Sequence, residues 1–119
     1  MTRRASIHHP GEFDSVLGFD SPTPTDDAYG GTVAGWTPEI ADIPAKLIYL
    51  RGGETVQAAR LAGRQPVVAV VRRTERALAI TTDWRMRDVR KAVDYNIRAI
   101  VPTEDRRYLE ITAESGVAI

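Results

Sequence analysis

The sequence predicts a mainly β protein, a small antiparallel barrel or sandwich with one short helix in an inserted loop. Five short segments between residues 45 and 114 alternate apolar and polar residues or form a β-branched run, and turn-forming residues separate them. A helical pattern occurs once, at 54–62. No apolar run approaches the length of about 18 residues that a membrane-spanning helix needs, so we expect no membrane partner.

The N-terminal third combines one short strand candidate with a long segment of turn-forming residues. The candidate is ASIHHP, residues 5–10, and a Pro-Gly pair ends it. Residues 11–35 are rich in Gly, Pro, Ser, Thr and Asp, which predicts a long loop or arm that is either flexible or ordered against a neighbour. We expect a single domain, 1–119, whose barrel occupies 36–114.

The later strand candidates are defined by their side-chain periodicity. A strand that is half buried alternates apolar and polar residues, and a strand buried on both faces is a continuous apolar run. Alternating segments lie on both sides of the polar TEDRR, 103–107, which predicts that these two strands form a hairpin with its turn there. The strand candidates are AKLIYL (45–50), PVVAVVRR (66–73), WRMRDV (84–89), VDYNIRAIV (93–101, with Val93, Tyr95, Ile97 and Ala99 inward) and YLEITAE (108–114).

The stretch RGGETVQAARLAGR, residues 51–64, interrupts this series and predicts a helix over 54–62 between two glycines. Gly53 is expected at the N-cap and Gly63 just past the C-terminus, where glycine commonly ends helices. Glu54 favours the dipole of the first turn but would repel a phosphate there. The stretch also lacks the lysine and hydroxyl of a P-loop, so it is not a nucleotide site.

No residue pattern indicates catalysis, a metal centre or a cofactor. The chain has no cysteine, which excludes disulfides and thiolate zinc sites. His8 and His9 are adjacent, so on a strand they would point to opposite faces and not serve one metal. The acidic pairs at 26–27 and 104–105 lie in turn-like stretches, where solvated carboxylates are expected. We therefore predict a protein that is not an enzyme and needs no cofactor or metal.

Charge is distributed unevenly although the formal net charge is zero. Residues 1–50 contain three basic and seven acidic side chains, a balance of −4, whereas residues 51–107 contain thirteen and seven, a balance of +6. Neighbouring subunits that meet acidic face to basic face would use such an asymmetry. Fourteen of the sixteen basic residues are arginine. Either a GC-rich genome or a need for bidentate contacts to carboxylate and phosphate explains this preference.

The order of these segments resembles that of the head–tail joining proteins of long-tailed phages, also called head closure, head completion or stopper proteins. The resemblance covers 26–114. In it, DAYGG precedes GW, and AKLIYL, GGETVQAARLAG, VVRR, ITTDWRMR, DYNIRAIV and RRYLEIT follow. Within these segments, Tyr95-Asn96-Ile97 fits the family's Y-x-I. Two departures, the long stretch 11–25 and VRKAV before Tyr95, leave local interface assignments open.

The resemblance implies a small β-barrel whose copies form a homo-oligomeric ring, usually dodecameric, below the portal and its adaptor. Such a ring continues the DNA channel, retains the packaged double-stranded DNA and docks the tail or its terminator. The protein would then lie in the virion neck of a phage or a gene transfer agent, after assembly in the host cytoplasm. Any DNA contact would be independent of sequence. The candidate channel or interface residues are Arg51, Glu54, Arg60, Arg64, Arg85 and Arg87.

Several alternatives stay open. A tail terminator or another connector ring protein would share this position. A nucleic-acid-binding barrel of the OB type would need several aromatics on one basic strand face, and neither Trp36 nor Trp84 has an aromatic neighbour two residues away. The 51–64 arginines either contact phosphates or acids, or are solvated while Ala59 and Leu61 pack on the barrel mouth. Charge reversal at Arg85 or Arg87 is expected to disrupt assembly without unfolding the protein.

Overall fold

The computed structural model describes residues 8–26 and 32–116. Its strands close into an antiparallel barrel in the order β1-β2-β3-β6-β5-β4, which confirms the predicted fold class. A 3₁₀ turn at Pro10–Glu12 precedes the barrel. The elements are β1 (Ser15–Asp26), β2 (Thr32–Tyr49), α1 (Glu54–Leu61), β3 (Gln65–Arg72), α2 (Glu75–Leu78), β4 (Arg85–Asp88), β5 (Val93–Pro102) and β6 (Tyr108–Ser115).

The barrel interior is filled by the apolar faces that the alternation predicts. β3 pairs with β2 on one side and β6 on the other, and its β-branched run is buried over most of its length. Each large side chain removed from water contributes about 1.5–3 kcal/mol to this core. The core consists of Leu17, Phe19, Ile40, Ala45, Val67, Ala69, Val71, Ala77, Ile80, Met86, Tyr95, Ile97, Leu109, Ile111 and Ala113.

The predicted loop over 11–35 is wrong, and with it the predicted start of the barrel at residue 36. β1 pairs with β2 from Ser15↔Ala45 to Asp26↔Thr32, so most of the segment is a long hairpin. β1 also pairs with β4 as far as Asp20↔Arg85. Its prolines lie beyond that point, where a missing N–H costs no bond to β4, and such edge positions are where strands tolerate proline.

The hairpin extends past the barrel wall. We call residues 21–26 and 32–37 the hairpin arm, since 21–26 follow the last β1–β4 pair and 32–37 are their partners on β2. Six strand residues span about 20 Å. The described structure measures 62 × 36 × 27 Å, an elongation that fits a two-stranded projection from a small barrel. The residues that join its two strands, 27–31, lie outside the described residues.

The segment before β1 packs on the barrel without forming a strand. Of the strand predicted over 5–10, residues 5–7 lie outside the described residues, and His8 and His9 are irregular. The ring of His8 is buried; its Nε2 lies 2.8 Å from Oε2 of Glu110, and its edge meets the ring of Tyr108. This contact brings the residues ahead of β1 onto β6.

Two local features differ from the predicted pattern. A register shift between Ile97 and Ala99 inserts an extra residue into β5, so Ile100, rather than Ala99, lies opposite the buried Ile111. The short helix α2 was not predicted, because four residues show no periodicity. Thr74 caps α2, accepting a hydrogen bond of 3.2 Å from the backbone N–H of Ala77. None of the helices in the described parts of the chain is long and apolar enough to cross a membrane.

Candidate functional site

The six residues predicted as channel or interface residues occupy two separate places. The helix α1 follows β2 and packs on β3. It contains Glu54 and Arg60, and Arg51 and Arg64 flank it. Arg85 and Arg87 lie on β4, whose neighbours in the barrel are β1 and β5. The structure therefore divides the candidate residues between two surfaces.

The α1 insertion, residues 51–64, has the predicted glycine boundaries. Gly53 is the N-cap residue with φ 88°, and Gly63 follows the helix with φ 83°, both in the left-handed region that favours glycine. The backbone N–H of Arg64 donates to the carbonyl of Ala59 at 2.9 Å, which closes the C-terminal turn. Ala59 is buried against the barrel. The helix is thus held at its C-terminal end.

The outward face of the insertion carries unpaired charge. The side chains of Arg51, Glu54 and Arg60 are exposed and form no ion pair with any described residue. Arg64 instead lies 3.6 Å from Oε1 of Glu114 on β6. Of the alternative in which Ala59 and Leu61 both pack on the barrel, only the part for Ala59 holds, since Leu61 is 90% exposed. The insertion therefore presents two free guanidinium groups beside one bare apolar side chain.

Arg85 and Arg87 converge on a buried carboxylate at the base of the hairpin arm. Asp20 is 1% exposed and faces Arg85 directly across the β1–β4 pair. Arg87 donates from Nε to Oδ2 at 2.7 Å and from Nη2 to Oδ1 at 3.0 Å. Arg85 donates to Oδ2 at 2.9 Å, and its guanidinium carbon lies 4.9 Å from the ring centre of Trp36 on the arm. We call these four residues the Asp20 anchor.

The electrostatics of the Asp20 anchor keep its carboxylate ionised. Burial by itself raises the pKa of Asp20, but the hydrogen bonds from Arg87 and Arg85, together with their charges, outweigh this and leave that pKa below its ordinary value. The hydrogen bond to Asp20 likewise raises the pKa of Arg87. A carboxylate that is charged at neutral pH and paired with two arginines holds the strands together.

The Asp20 anchor changes the interpretation of Arg85 and Arg87. Reversing either charge would place a carboxylate beside buried Asp20, a like-charge contact that the barrel wall cannot relax by hydration. We therefore no longer expect such reversals to spare the fold. The sequence prediction missed the partner Asp20 because 11–35 was interpreted as a loop.

A groove opens where β2 and β3 separate. Their pairing ends at Lys46↔Val70, and beyond it a cavity of about 400 Å³ lies between the two strands. We call it the arginine groove, and its lining residues are Phe13, Ile43, Pro44, Arg72, Thr74 and Arg76. No single stretch of sequence predicts the arginine groove, since three separate segments supply its walls. The sequence features that indicate a basic surface here are the VVRR at the end of β3 and the basic balance of 51–107.

Neither surface resembles a catalytic or metal site. Within residues 8–26 and 32–116, no three His, Asp or Glu side chains are placed to hold a metal ion. The charged groups that are brought together are paired with one another, and the remaining arginines face outward. Such an arrangement is suited to contacts with another macromolecule.

Comparison with solved structures shows the same fold in other proteins. The solution structure of protein SF1141 from Shigella flexneri 2a is similar with a TM-score of 0.67 and 17% identity, covering 94% of this chain and 100% of that one. A chain from the virion of a native gene transfer agent particle is similar with a TM-score of 0.59 and 22% identity, covering 88% and 96%. No curated protein sequence matches the chain.

The family comparison is more specific than the structural one. The model of the phage head completion protein family matches residues 9–116, which includes every strand of the barrel, both helices and both candidate surfaces. This match contains the 26–114 segment on which the sequence resemblance was based. The chain therefore belongs to the phage head completion protein family.

Proposed function

We propose that the protein is a structural head–tail connector component, not an enzyme, that forms a ring in the virion neck between the portal or its adaptor and the tail. The observation that carries this proposal is the family match over residues 9–116. The ring, usually dodecameric in such connectors, retains packaged DNA and offers a docking face to the tail. Assembly takes place in the host cytoplasm, and the particle is that of a phage or a gene transfer agent.

The fold provides what a ring subunit requires. A closed barrel is rigid and has few free strand edges, so it resists indiscriminate sheet-to-sheet association. Two surfaces, the hairpin arm formed by β1 and β2 and the α1 insertion between β2 and β3, remain available for neighbours. Contacts between unlike surfaces of identical subunits close into rings when the rotation between subunits allows it.

We place the α1 insertion toward the channel or the adjacent ring. Its exposed Arg51 and Arg60 have no acidic partner among the described residues, and they lie on the same short insertion as the bare Leu61. Arginines of this kind bind phosphates without reading bases. The double-stranded DNA that passes through the ring would be held by such contacts weakly and in a salt-dependent manner.

Electron microscopy of particles from a host that lacks the gene tests the proposed function. Heads that fill and then lose DNA, with free tails alongside, are the expected result. Sealed, DNA-filled heads with tails of abnormal length would point instead to a tail terminator. Normal tailed particles would contradict a connector role and favour a nucleic-acid-binding barrel.

Charge reversal in the α1 insertion tests its placement. The double variant Arg51→Glu, Arg60→Glu is expected to keep its free energy of unfolding within about 0.5 kcal/mol of the wild-type value, because both side chains are exposed and unpaired. Gene-deletion hosts complemented with it are expected to yield at least several-fold fewer DNA-filled heads. The matched control Arg51→Lys, Arg60→Lys should restore them. Full retention of DNA by the reversed variant would contradict phosphate contact.

A further inference from the structure

We propose that the arginine groove of each subunit receives the end of the hairpin arm of the neighbouring copy, so that successive subunits are linked arm to groove. This inference rests on the proposed ring and names the two surfaces that form its contact. Neither the family match nor the similar structures assign a role to the groove or to the arm.

The chemistry of the groove selects an occupant that is both apolar and anionic. Phe13, Ile43 and Pro44 supply an apolar wall. Arg72 and Arg76 are exposed at the opposite side and form no ion pair with a described residue. The nearest acid in sequence, Glu75, is exposed on α2 and leaves the segment 72–76 with an excess of positive charge.

The end of the hairpin arm has the complementary chemistry in its sequence. The strands of the arm end at Asp26 and Thr32, and the residues that join them are Asp-Ala-Tyr-Gly-Gly, 27–31. The sequence thus has two consecutive aspartates, Asp26 and Asp27, followed after one alanine by Tyr29. Aromatic side chains that enter a pocket, with charged pairs around them, contribute most of the binding energy in many protein interfaces. The arm also belongs to the acidic N-terminal part of the chain, whereas the groove arginines belong to the basic part.

Geometry excludes the chain's own groove as the place where the arm ends. Thr32 and Pro44 lie on the same strand, β2, twelve positions apart, which corresponds to about 40 Å of extended chain. A paired strand does not fold back on itself, and the Asp20 anchor fixes its base to the barrel. The end of the arm therefore cannot reach its own groove, and a contact between the two surfaces joins two subunits.

Side-chain docking fits the arm better than addition of a strand to its edge. The arm carries Pro22 and Pro24 on β1, and Pro38 lies at its base on β2; each lacks the N–H that a new partner strand would need. Prolines and charges on an exposed edge oppose edge-to-edge pairing. Contact between the end of an arm and a groove joins two unlike surfaces, which is the head-to-tail arrangement that a ring requires.

A charge-swap series tests the contact. Groove reversal (Arg72→Glu, Arg76→Glu) and arm reversal (Asp26→Arg, Asp27→Arg) are each expected to lower the yield of tailed particles at least tenfold when they complement the gene deletion. Both reversals in one chain should restore most of that yield, since every arm then meets a groove of opposite charge again. The matched control is Arg73→Glu, an exposed arginine that does not line the groove. It should have little effect alone and should not rescue the arm reversal.

Disulfide trapping gives a second readout that does not depend on particle phenotype. The chain has no cysteine, so the pair Pro44→Cys with Ala28→Cys introduces the only thiols. Oxidation should give a ladder at multiples of 13.1 kDa, both in particles and in concentrated purified protein, and neither single variant should extend past a dimer.

The outcomes separate this inference from the proposed function. Failure of the double reversal to rescue, or a cross-link to a different virion protein, would overturn the arm-to-groove contact while leaving the connector role intact. Normal tailed particles from the gene-deletion host would overturn the connector role, whereas a ladder from purified protein would still support the contact.

Discussion

Replacement of Asp20 by asparagine is expected to lower the free energy of unfolding by about 3 kcal/mol, near the lower end of the range for breaking a buried ion pair. Asparagine keeps the size of the side chain but leaves Arg85 and Arg87 without a counter-charge. Its amide N–H groups also face guanidinium donors. The expected loss lies at the lower end because the two arginines remain 22% and 28% exposed and can regain some hydration.

Urea unfolding followed by tryptophan fluorescence measures this loss. Trp36 stacks on Arg85, so the signal also reports on the Asp20 anchor itself. The matched control is Asp94→Asn. Asp94 is 50% exposed and lies 3.8 Å from Arg85, so its removal is expected to cost less than about 0.5 kcal/mol. Equal losses in the two variants would mean that the Asp20 anchor does not stabilise the base of the arm.

The stability difference between the wild type and Asp20→Asn should depend on pH. The pKa of Asp20 is lowered in the folded state, so its stabilising contribution is fully present above the unfolded value of about 3.9. It is lost as the pH falls through the folded pKa. We therefore expect a constant difference between pH 7 and pH 5, and a shrinking one below about pH 4. A difference that grows on acidification would contradict the assigned ion pairs.

The strands that the sequence predicted well are those whose own residues alternate. In β6, Leu109, Ile111 and Ala113 are buried, and the sequence indicates this because the side chains of a half-buried strand point inward at every second position. The α1 insertion was also predictable, since Gly53 and Gly63 adopt the positive φ angles at its two ends. Such features depend on local sequence.

β1 could not be predicted in the same way. Its sequence, SVLGFDSPTPTD, contains glycine, proline and aspartate, the residues that predict loops. Pairing with β2 and β4 overrides these preferences, and strand propensity is known to depend strongly on neighbours. The same limit applies to the candidate residues. The strand WRMRDV corresponds to β4, but the carboxylate that Arg85 contacts is 65 positions away, in a strand that the sequence does not predict.

Replacement of Gly18 by valine is expected to destabilise the protein by about 3 kcal/mol, the upper part of the range for overpacking a well-filled site. Gly18 lies opposite Arg87 in the β1–β4 pair. A Cβ atom there would lie 2.6 Å from Nη2 of Arg87 and 2.9 Å from the carbonyl oxygen of Ala41. The guanidinium can move, but only by leaving Asp20, and the backbone carbonyl of β2 cannot move without shifting the strand.

The control for this substitution is Gly52→Ala. A Cβ atom at Gly52 meets nothing within 4 Å, so thermal unfolding should show a change within about 0.5 kcal/mol. If Gly18→Val unfolds at the wild-type temperature, the close packing of β1, β2 and β4 around Arg87 is not required.

Substitutions at Gly18 and Asp20 should have coupled effects on the free energy of unfolding, because both change the position or pairing of Arg87. A single methyl group at position 18 suffices to displace the guanidinium, so the milder Gly18→Ala is suited to a double-mutant cycle with Asp20→Asn. Arg87 has already lost its carboxylate in the Asp20→Asn background, and displacing it there costs less. The sum of the two single-variant losses in the free energy of unfolding is therefore expected to exceed the loss in the double variant by about 1 kcal/mol. If the two losses add strictly, a side chain at position 18 is excluded by the carbonyl oxygen of Ala41 alone. The space that the guanidinium of Arg87 occupies would then not be a reason for glycine at this position.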